Sequence, residues 1–131
     1  FESWESNLAA RAGLRAAVAY ARSWGLDAIA TRVTTVAAAL RARLAAVPGV
    51  TVRDHGRRLC GIVTFTKAGV EAEAVQAALA GRGVNVSVSS PSSTLLDAER
   101  RHLPPLVRAS VHYLTTEAEL DAAVAAVSAA T

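Results

Sequence analysis

Residues 106–131 constrain the fold more than any other stretch, because a strand signal and a helix signal follow each other directly. Apolar and polar side chains alternate first, which places the two sets on opposite faces of a strand. The apolar set is Val107, Ala109, Val111 and Tyr113, and the polar set is Arg108, Ser110 and His112. Thr116 then stands three residues before Glu119, the spacing of a capping box. The stretch therefore predicts a half-buried strand followed by a capped helix.

Two helices are predicted before the first strand. Residues 8–24 form an Ala-rich run that either Ser6 or Asn7 can cap. A second helix starts at Asp27 as its N-cap and stops at Pro48. Its apolar residues recur at helical spacing, the strongest periodic signal in the chain: Ile29, Val33, Val36, Leu40, Leu44 and Val47. This stripe predicts a long helix packed along the flank of a small domain.

The remaining pattern alternates strands with short helices. The pattern predicts two strands at residues 50–54 and 59–66, a helix at 71–80 and a third strand at 84–88. A polar loop at 89–94 and a short helix at 95–101 follow. The first two strands flank a turn and suggest a hairpin. With the closing strand and helix, this order predicts an α+β fold, in which a small, mostly antiparallel sheet is covered by helices on one face.

Composition narrows the class of protein. The chain has 131 residues, of which 52% are hydrophobic and 19% charged, the profile of one globular domain. No apolar run approaches the roughly 20 residues of a membrane span, and a cytoplasmic location is the default expectation. The single cysteine, Cys60, excludes an internal disulfide and is expected to be a buried apolar residue.

Charge and motif content argue against two further classes of function. The formal net charge is +3, but arginines such as Arg41 and Arg43 are scattered along the chain and are interpreted as solvated helix faces. This distribution disfavours nucleic-acid binding. The three histidines lack metal-ligand spacing, and no HExxH motif or CxxC pair is present, so no metal site is expected.

The closing stretch also resembles a known family. Its segment V-R-A-S, followed by H-Y and T-T-E-A-E-L-D, is similar to the end of class V PLP-dependent enzymes, which include cysteine desulfurases, selenocysteine lyases and isopenicillin-N-epimerase-like enzymes. The segments G-I-V-T-F at residues 61–65 and R-G-V at residues 82–84 resemble strands of the same family. The likeness implies the small C-terminal domain of a fold-type-I PLP enzyme at residues 25–131, with residues 1–24 as a linking helix from the large domain.

The resemblance implies roles for individual residues. Arg108 would bind the substrate α-carboxylate, for which a guanidinium fork is well suited. Without the resemblance, an arginine on a half-buried strand is more often the partner of a local carboxylate. Ser6 would contact the cofactor phosphate, although a simple helix cap fits equally well and a one-residue slip would place Glu5 there instead.

The loop at residues 89–94 separates branches of the family. Persulfide-forming cysteine desulfurases carry a cysteine in the corresponding loop, whereas this chain has Ser90, Pro91 and Ser92. The resemblance therefore favours the epimerase-like or C–S-lyase-like branch. Hydroxyl groups of the loop are expected to hydrogen-bond substrate, with Ser90 as the candidate.

The chain would then hold only part of an active site. Lys67 is the only lysine, and it lies where the family has no Schiff-base lysine. We therefore expect pyridoxal phosphate to be bound by a large domain of the same protein, in a homodimer that acts on an amino acid, and the chain to be inactive alone. The alternative is a free-standing small-molecule-binding or dimerisation module without catalysis.

Overall fold

The structure is a computed structural model that describes residues 6–131. Within that range the helices are α1 Leu8–Trp24, α2 Leu26–Ala45, α3 Ala72–Ala80, α4 Leu95–Arg101 and α5 Glu117–Ala129. The strands are β1 Val50–Val52, β2 Ile62–Lys67, β3 Ser87–Ser89 and β4 Leu106–Ser110, and a 3₁₀ turn at Pro91–Thr94 leads into α4. No helix in the described part of the chain is long and apolar enough to cross a membrane.

The four strands form one antiparallel sheet in the order β1-β2-β4-β3. One face of this sheet packs against α2, α3 and α5 and buries Val63, Phe65 and Val107 almost completely. The helices contribute the other half of the core: Val36, Ala37, Leu40, Leu44, Val75, Leu79, Leu120 and Val127. The predicted α+β fold is confirmed, and the apolar stripe of α2 forms its core from Val36 onward.

Two helix N-termini are capped by side chains that the sequence identifies. Asn7, and not Ser6, caps α1, because its Oδ1 accepts the amide hydrogen of Ala10 at 2.9 Å. Thr116 and Glu119 form the predicted capping box of α5. Hydrogen bonds from the Thr116 backbone and hydroxyl hold the pKa of Glu119 below its ordinary value of 4.5. The expected cap of α2 is wrong, since Asp27 lies inside the first turn and Gly25 occupies the cap position.

The hairpin is confirmed, but both of its strands are shorter than predicted. The β1–β2 ladder stops because side chains take over its hydrogen bonds. The Asp54 carboxylate accepts the backbone N–H of Thr64 at 2.8 Å, and the Arg41 guanidinium donates to the carbonyls of Cys60 and Ile62 at 2.7 and 2.8 Å. Residues 55–61 are consequently outside the sheet, and Cys60 is exposed. The expectation of a buried Cys60 is therefore wrong.

The strand predicted at 84–88 starts only at Ser87. Before that point its backbone bonds to helix α3, since Val84 N–H donates to Leu79 and the Gln76 side chain donates to the Val86 carbonyl. The segment predicted as a polar loop contains the end of β3 and the 3₁₀ turn. The last strand ends at Ser110 because His112 and Thr115 close a turn on each other.

Arg41 and Arg43 were expected on solvated helix faces, but both form ion pairs instead. Arg41 pairs with Asp54 at 2.5 Å, and the two side chains are only 13% and 8% exposed. Arg43 pairs with Glu117 and Asp121 and so joins α2 to the first turns of α5. These acidic partners lie 13 to 78 residues away in sequence, so no local pattern identifies them.

Candidate functional site on the outer face of the sheet

The outer face of the sheet, meaning the face turned away from α2, α3 and α5, carries a row of polar side chains. Thr64 on β2 lies opposite Arg108 on β4, and Arg108 lies opposite Ser87 on β3. The N–H of Arg53 donates to the Thr64 carbonyl at 2.7 Å, which extends the row past the end of β1. Directly opposed residues share a face, so Arg53, Thr64, Arg108 and Ser87 form one line across four strands.

Arg108 is exposed at the centre of this row. Its Nε donates to the Ser87 hydroxyl at 3.1 Å, which fixes the guanidinium plane. Within residues 6–131 it forms no ion pair, and its two terminal nitrogens have no hydrogen-bond partner. A local carboxylate is thus not its partner in the described chain. The free edge of the guanidinium has the geometry for bidentate binding of a carboxylate.

A cleft of about 190 Å³ lies beside the row. Thr64, Ser89 and Leu106 line it from the sheet, while Ala98 and Arg101 line it from α4. Leu106 lies on the outer face opposite Ser89, and it is only 9% exposed. The cleft wall also carries the arginine Arg53, the hydroxyl groups of Ser90 and Thr94, and the carboxylates Asp54 and Asp97. It is a concave, polar site next to Arg108.

Ser90 lies at the rim of this cleft, where it caps the 3₁₀ turn. Its Oγ accepts the N–H of Ser92 at 3.4 Å and shares a hydrogen bond with the Ser92 hydroxyl at 2.9 Å. Ser89, the residue before it, pairs with Leu106, so the Ser90 backbone is one step beyond the β3–β4 ladder. The structure therefore gives Ser90 a definite local role in shaping the cleft, while its substrate contact stays a prediction.

Ser6 lies far along the chain from this cleft, next to the N-terminus of α1. Its exposed hydroxyl accepts a hydrogen bond from the Arg11 guanidinium at 3.3 Å. The alternative position, Glu5, lies outside the described residues. A hydroxyl, a guanidinium and the first free N–H groups of a 17-residue helix are a suitable donor set for a phosphate group. The residues present thus fit the phosphate of pyridoxal phosphate, and the contact stays a prediction.

Lys67 does not fit the covalent role of a PLP lysine. Its ammonium donates to the carbonyls of Val127, Ser128 and Ala130 at 2.7, 2.8 and 2.5 Å. These carbonyls lie at the C-terminus of α5, where a cation also stabilises the helix dipole. All three donors of the ammonium are used in holding the last helix to β2. That Lys67 is not the Schiff-base lysine of the enzyme stays a prediction.

Helix α1 exposes apolar side chains although it is amphipathic. No residue of α1 is buried, and the helix packs along α2. Tyr20 and Trp24 contact each other edge-on, with ring centroids 6.2 Å apart. They line a groove of about 370 Å³ together with Tyr113 and Leu114 of the turn after β4. Exposed apolar surface of this kind commonly marks a contact with another domain or chain.

No group of three or more metal-binding side chains is present among residues 6–131. His55 is the one histidine among the described residues that line the cleft, and His112 packs on Tyr113 with ring centroids 4.0 Å apart.

Comparison with known proteins places this geometry in a family. The family model described as aminotransferase class V matches residues 1–123. The chain belongs to the class V aminotransferase family. A search of curated protein sequences finds no match. The family assignment confirms the resemblance of the closing segment to class V enzymes.

Solved structures of two cysteine desulfurases have the same fold. Cysteine desulfurase CsdA from Escherichia coli, in its S-sulfonic acid form, has a TM-score of 0.87 and 25% identity over 99% of this chain and 32% of that chain. The apo cysteine desulfurase of Thermococcus onnurineus NA1 has a TM-score of 0.88 and 21% identity over 98% and 32%. The class V chain described here therefore spans about a third of the length of either desulfurase.

A third relative, C-DES, matches over a smaller part. The complex of this cystine C–S lyase with cysteine persulfide, its reaction product, has a TM-score of 0.60 and 20% identity over 76% of this chain and 23% of that chain. A variant of C-DES contains glycine covalently linked to the PLP cofactor and matches with a TM-score of 0.61 and 19% identity over 77% and 23%. The family and these neighbours indicate PLP in the complete enzymes.

Sequence reasoning missed two members of the outer row. Alternation at 84–89 does place Ser87 on the polar face, but its bond to Arg108 depends on β3 pairing with β4, which chain order alone does not reveal. Arg53 carries no motif at all. It reaches the row only because β1 and β2 form a hairpin in the register Val52 opposite Phe65.

Proposed function

We propose that this chain provides the substrate-carboxylate site of a PLP-dependent class V enzyme that acts on an amino acid. The observation that carries the proposal is Arg108, held by Ser87 with its terminal nitrogens unpaired within residues 6–131. Because the side chain stands on a sheet strand, little conformational entropy is lost when a carboxylate binds. The α-carboxylate is common to all amino acids, so this contact orients the substrate without selecting its side chain.

The reacting groups of the enzyme lie outside the described residues in this proposal. Pyridoxal phosphate, when bound by the complete protein, supplies the electron sink for bond breaking at the amino acid. Lys67 is committed to the end of α5 and cannot serve it. Ser6 and Arg11, at the start of α1, are proposed to hold the phosphate. The 131-residue chain alone is therefore expected to be inactive.

The residues of the loop beside the cleft support a choice between the branches of the family. Ser90 and Ser92 place hydroxyl groups in the loop where persulfide-forming desulfurases have a cysteine, and the only thiol, Cys60, lies in the exposed segment before β2. A thiol that accepts sulfur has to reach the reacting atom of the substrate. We therefore favour a transaminase, C–S lyase or epimerase, in a cytoplasmic enzyme, over a persulfide-type desulfurase.

The exposed groove on α1 supports a large domain as partner. Tyr20, Trp24 and Leu114 would bury substantial apolar area against it, and the matched desulfurases are about three times as long as this chain. In this proposal residues 1–24 link the two domains, residues 25–131 are the small domain, and the complete enzyme is a homodimer.

The experiment is substrate kinetics on the complete protein with Arg108→Ala and a control, Arg82→Ala. Arg82 is exposed and forms no side-chain hydrogen bond or ion pair within residues 6–131, so both variants remove one surface charge. Loss of two charge-assisted hydrogen bonds predicts a KM increase on the order of 100-fold for Arg108→Ala. The control should stay within about twofold, and partial recovery by Arg108→Lys should distinguish charge from fork geometry.

Two results would refute the proposal. An unchanged KM in Arg108→Ala would remove Arg108 from the site. Absence of a visible absorption band that borohydride treatment abolishes would remove pyridoxal phosphate, and the fold would then serve as a binding or dimerisation module.

A further inference from the structure

Two arginines stand in the same cross-strand row on the outer face. Arg53 is opposite Thr64, and Thr64 is opposite Arg108, so two strand spacings separate the arginines. At about 4.8 Å per spacing, their Cα atoms lie roughly 10 Å apart. Thr64 separates the two guanidinium groups, and an anion placed over this part of the face could approach both of them. The carboxylates near Arg53 therefore decide whether its charge is already paired.

The nearest carboxylates are already bonded to other groups. Asp54 follows Arg53 directly, yet its oxygens accept from Arg41 Nε, from Thr64 N and from Thr64 Oγ1. Asp97, across the cleft, is paired with Arg101 at 2.9 Å and with Arg100 at 3.7 Å. Within residues 6–131, Arg53 consequently has no acidic partner. Arg53 and Arg101 line the cleft together with Asp54 and Asp97, and both carboxylates are bonded to groups other than Arg53.

Arg53 is also held in place from three directions. Its Nε donates to the Thr66 hydroxyl at 3.0 Å, its N–H donates to Thr64, and its carbonyl accepts from Arg101 Nη2 at 2.6 Å. The terminal nitrogens of its guanidinium have no hydrogen-bond partner within residues 6–131. The side chain is partly buried and lines the cleft with the hydroxyl-bearing residues Ser89 and Ser90. A fixed fork with free donors is preorganised for an anion.

We infer that Arg53 is a second anion-binding residue, and that the substrate is an amino acid with an acidic side chain. The inference rests on the proposed role of Arg108, which takes the α-carboxylate. Arg53 takes the side-chain carboxylate, sulfinate or sulfonate in the cleft. A volume of about 190 Å³ is several times the roughly 30 Å³ of a water molecule, so the cleft has room for such a group. Arg53 thereby selects among amino acids, whereas Arg108 binds them all.

The test is amino-acid binding to the complete holoenzyme, followed by the cofactor absorption change and by calorimetry. L-Aspartate and L-glutamate are compared with their uncharged isosteres, L-asparagine and L-glutamine. The variants are Arg53→Ala, Arg53→Lys, Arg108→Ala and the control Arg57→Ala, which removes an exposed charge from the turn after Arg53.

We expect at least one acid to bind wild-type protein about 10- to 100-fold more tightly than its amide. Arg53→Ala should abolish this preference and leave the affinity for the amides within about twofold. Arg53→Lys should restore part of the preference, and Arg57→Ala should keep all of it.

Three results would overturn the inference. In the first, the wild-type protein binds the acids no more tightly than the amides. In the second, the preference for the acids survives in Arg53→Ala. In the third, Arg53→Ala weakens the binding of acids and amides equally and lowers the melting temperature. The last result would mean that Arg53 pairs with a carboxylate of the protein. If Arg108→Ala weakens all four amino acids in these cases, the proposed function survives. If Arg108→Ala binds all four like wild type, the proposed function itself fails.

Discussion

Replacement of Asp54 by alanine should destabilise this chain more than any surface charge change. The carboxylate is 8% exposed and accepts three hydrogen bonds, from Arg41 Nε at 2.5 Å, Thr64 N at 2.8 Å and Thr64 Oγ1 at 2.6 Å. Its removal leaves the Arg41 guanidinium, itself 13% exposed, without a counter-charge. It also leaves the N–H of Thr64 unpaired beside the sheet.

The size of the effect follows from these contacts. Breaking a buried ion pair by removing one partner costs about 3–5 kcal/mol. The unpaired N–H adds about 1 kcal/mol, but the two carbonyls of Cys60 and Ile62 still bind Arg41 and offset part of the loss. We expect the free energy of unfolding to fall by about 3–5 kcal/mol, against a typical total of about 5–15 kcal/mol.

The assay is urea unfolding followed by far-ultraviolet circular dichroism, with Asp121→Ala as the matched control. Asp121 also pairs with an arginine, Arg43, but its side chain is 73% exposed, so its loss should cost less than about 1 kcal/mol. With a slope of about 2 kcal/mol per molar urea, the midpoint of Asp54→Ala should fall by roughly 1.5–2.5 M. Midpoints of the two variants within about 0.3 M of each other would refute the reasoning that burial decides the value of this pair.

Two further predictions follow from local geometry. The pKa of Glu119 is lower in the folded protein than in the unfolded chain, so the capping box stabilises α5 fully above about pH 4.5, and this contribution should vanish as the pH falls through the lowered pKa. Glu119→Ala should therefore flatten the pH dependence of the unfolding free energy below pH 5. An unaltered pH profile in that variant would assign the dependence to another group. A Cβ at Gly61 would lie 2.6 Å from Val33 Cγ1 and 3.2 Å from the Val111 carbonyl oxygen, so Gly61→Ala should destabilise the fold by about 1–3 kcal/mol. The same substitution should cost less in a Val33→Ala background, because the smaller side chain removes the nearer contact. Equal costs of Gly61→Ala in both backgrounds, measured by urea unfolding, would exclude this clash as the cause.

The helices could be predicted well because their signals are local. The capping box of Thr116 and Glu119, the apolar stripe of α2 and the run of residues 95–101 each lie within a few turns of chain, and the structure has helices at all three. The Asp27 cap failed because Gly25, with a φ of 86°, turns the chain sharply between α1 and α2 and starts the next helix earlier.

Strand ends and side-chain partners could not be predicted in the same way. Arg41 and Asp54 end the β1–β2 ladder by replacing backbone hydrogen bonds with side-chain ones, and this requires α2 to lie against the hairpin. The exposure of Cys60 is a consequence of that ending. The local residue pattern around Cys60 predicts a strand whether or not the β1–β2 ladder continues to that residue.

The sequence by itself determined the secondary-structure order and the class V family, and it singled out Arg108 as the candidate for carboxylate binding, since periodicity, capping and motifs are properties of neighbouring residues. Only the tertiary structure decided what stands beside Arg108. Strand register brought Ser87 to its Nε and placed Arg53 in the same row, although these residues are separated by up to 55 positions along the chain. Pairing between strands depends on the packing of the whole core, and so the composition of the outer face follows from the fold and not from any segment of it.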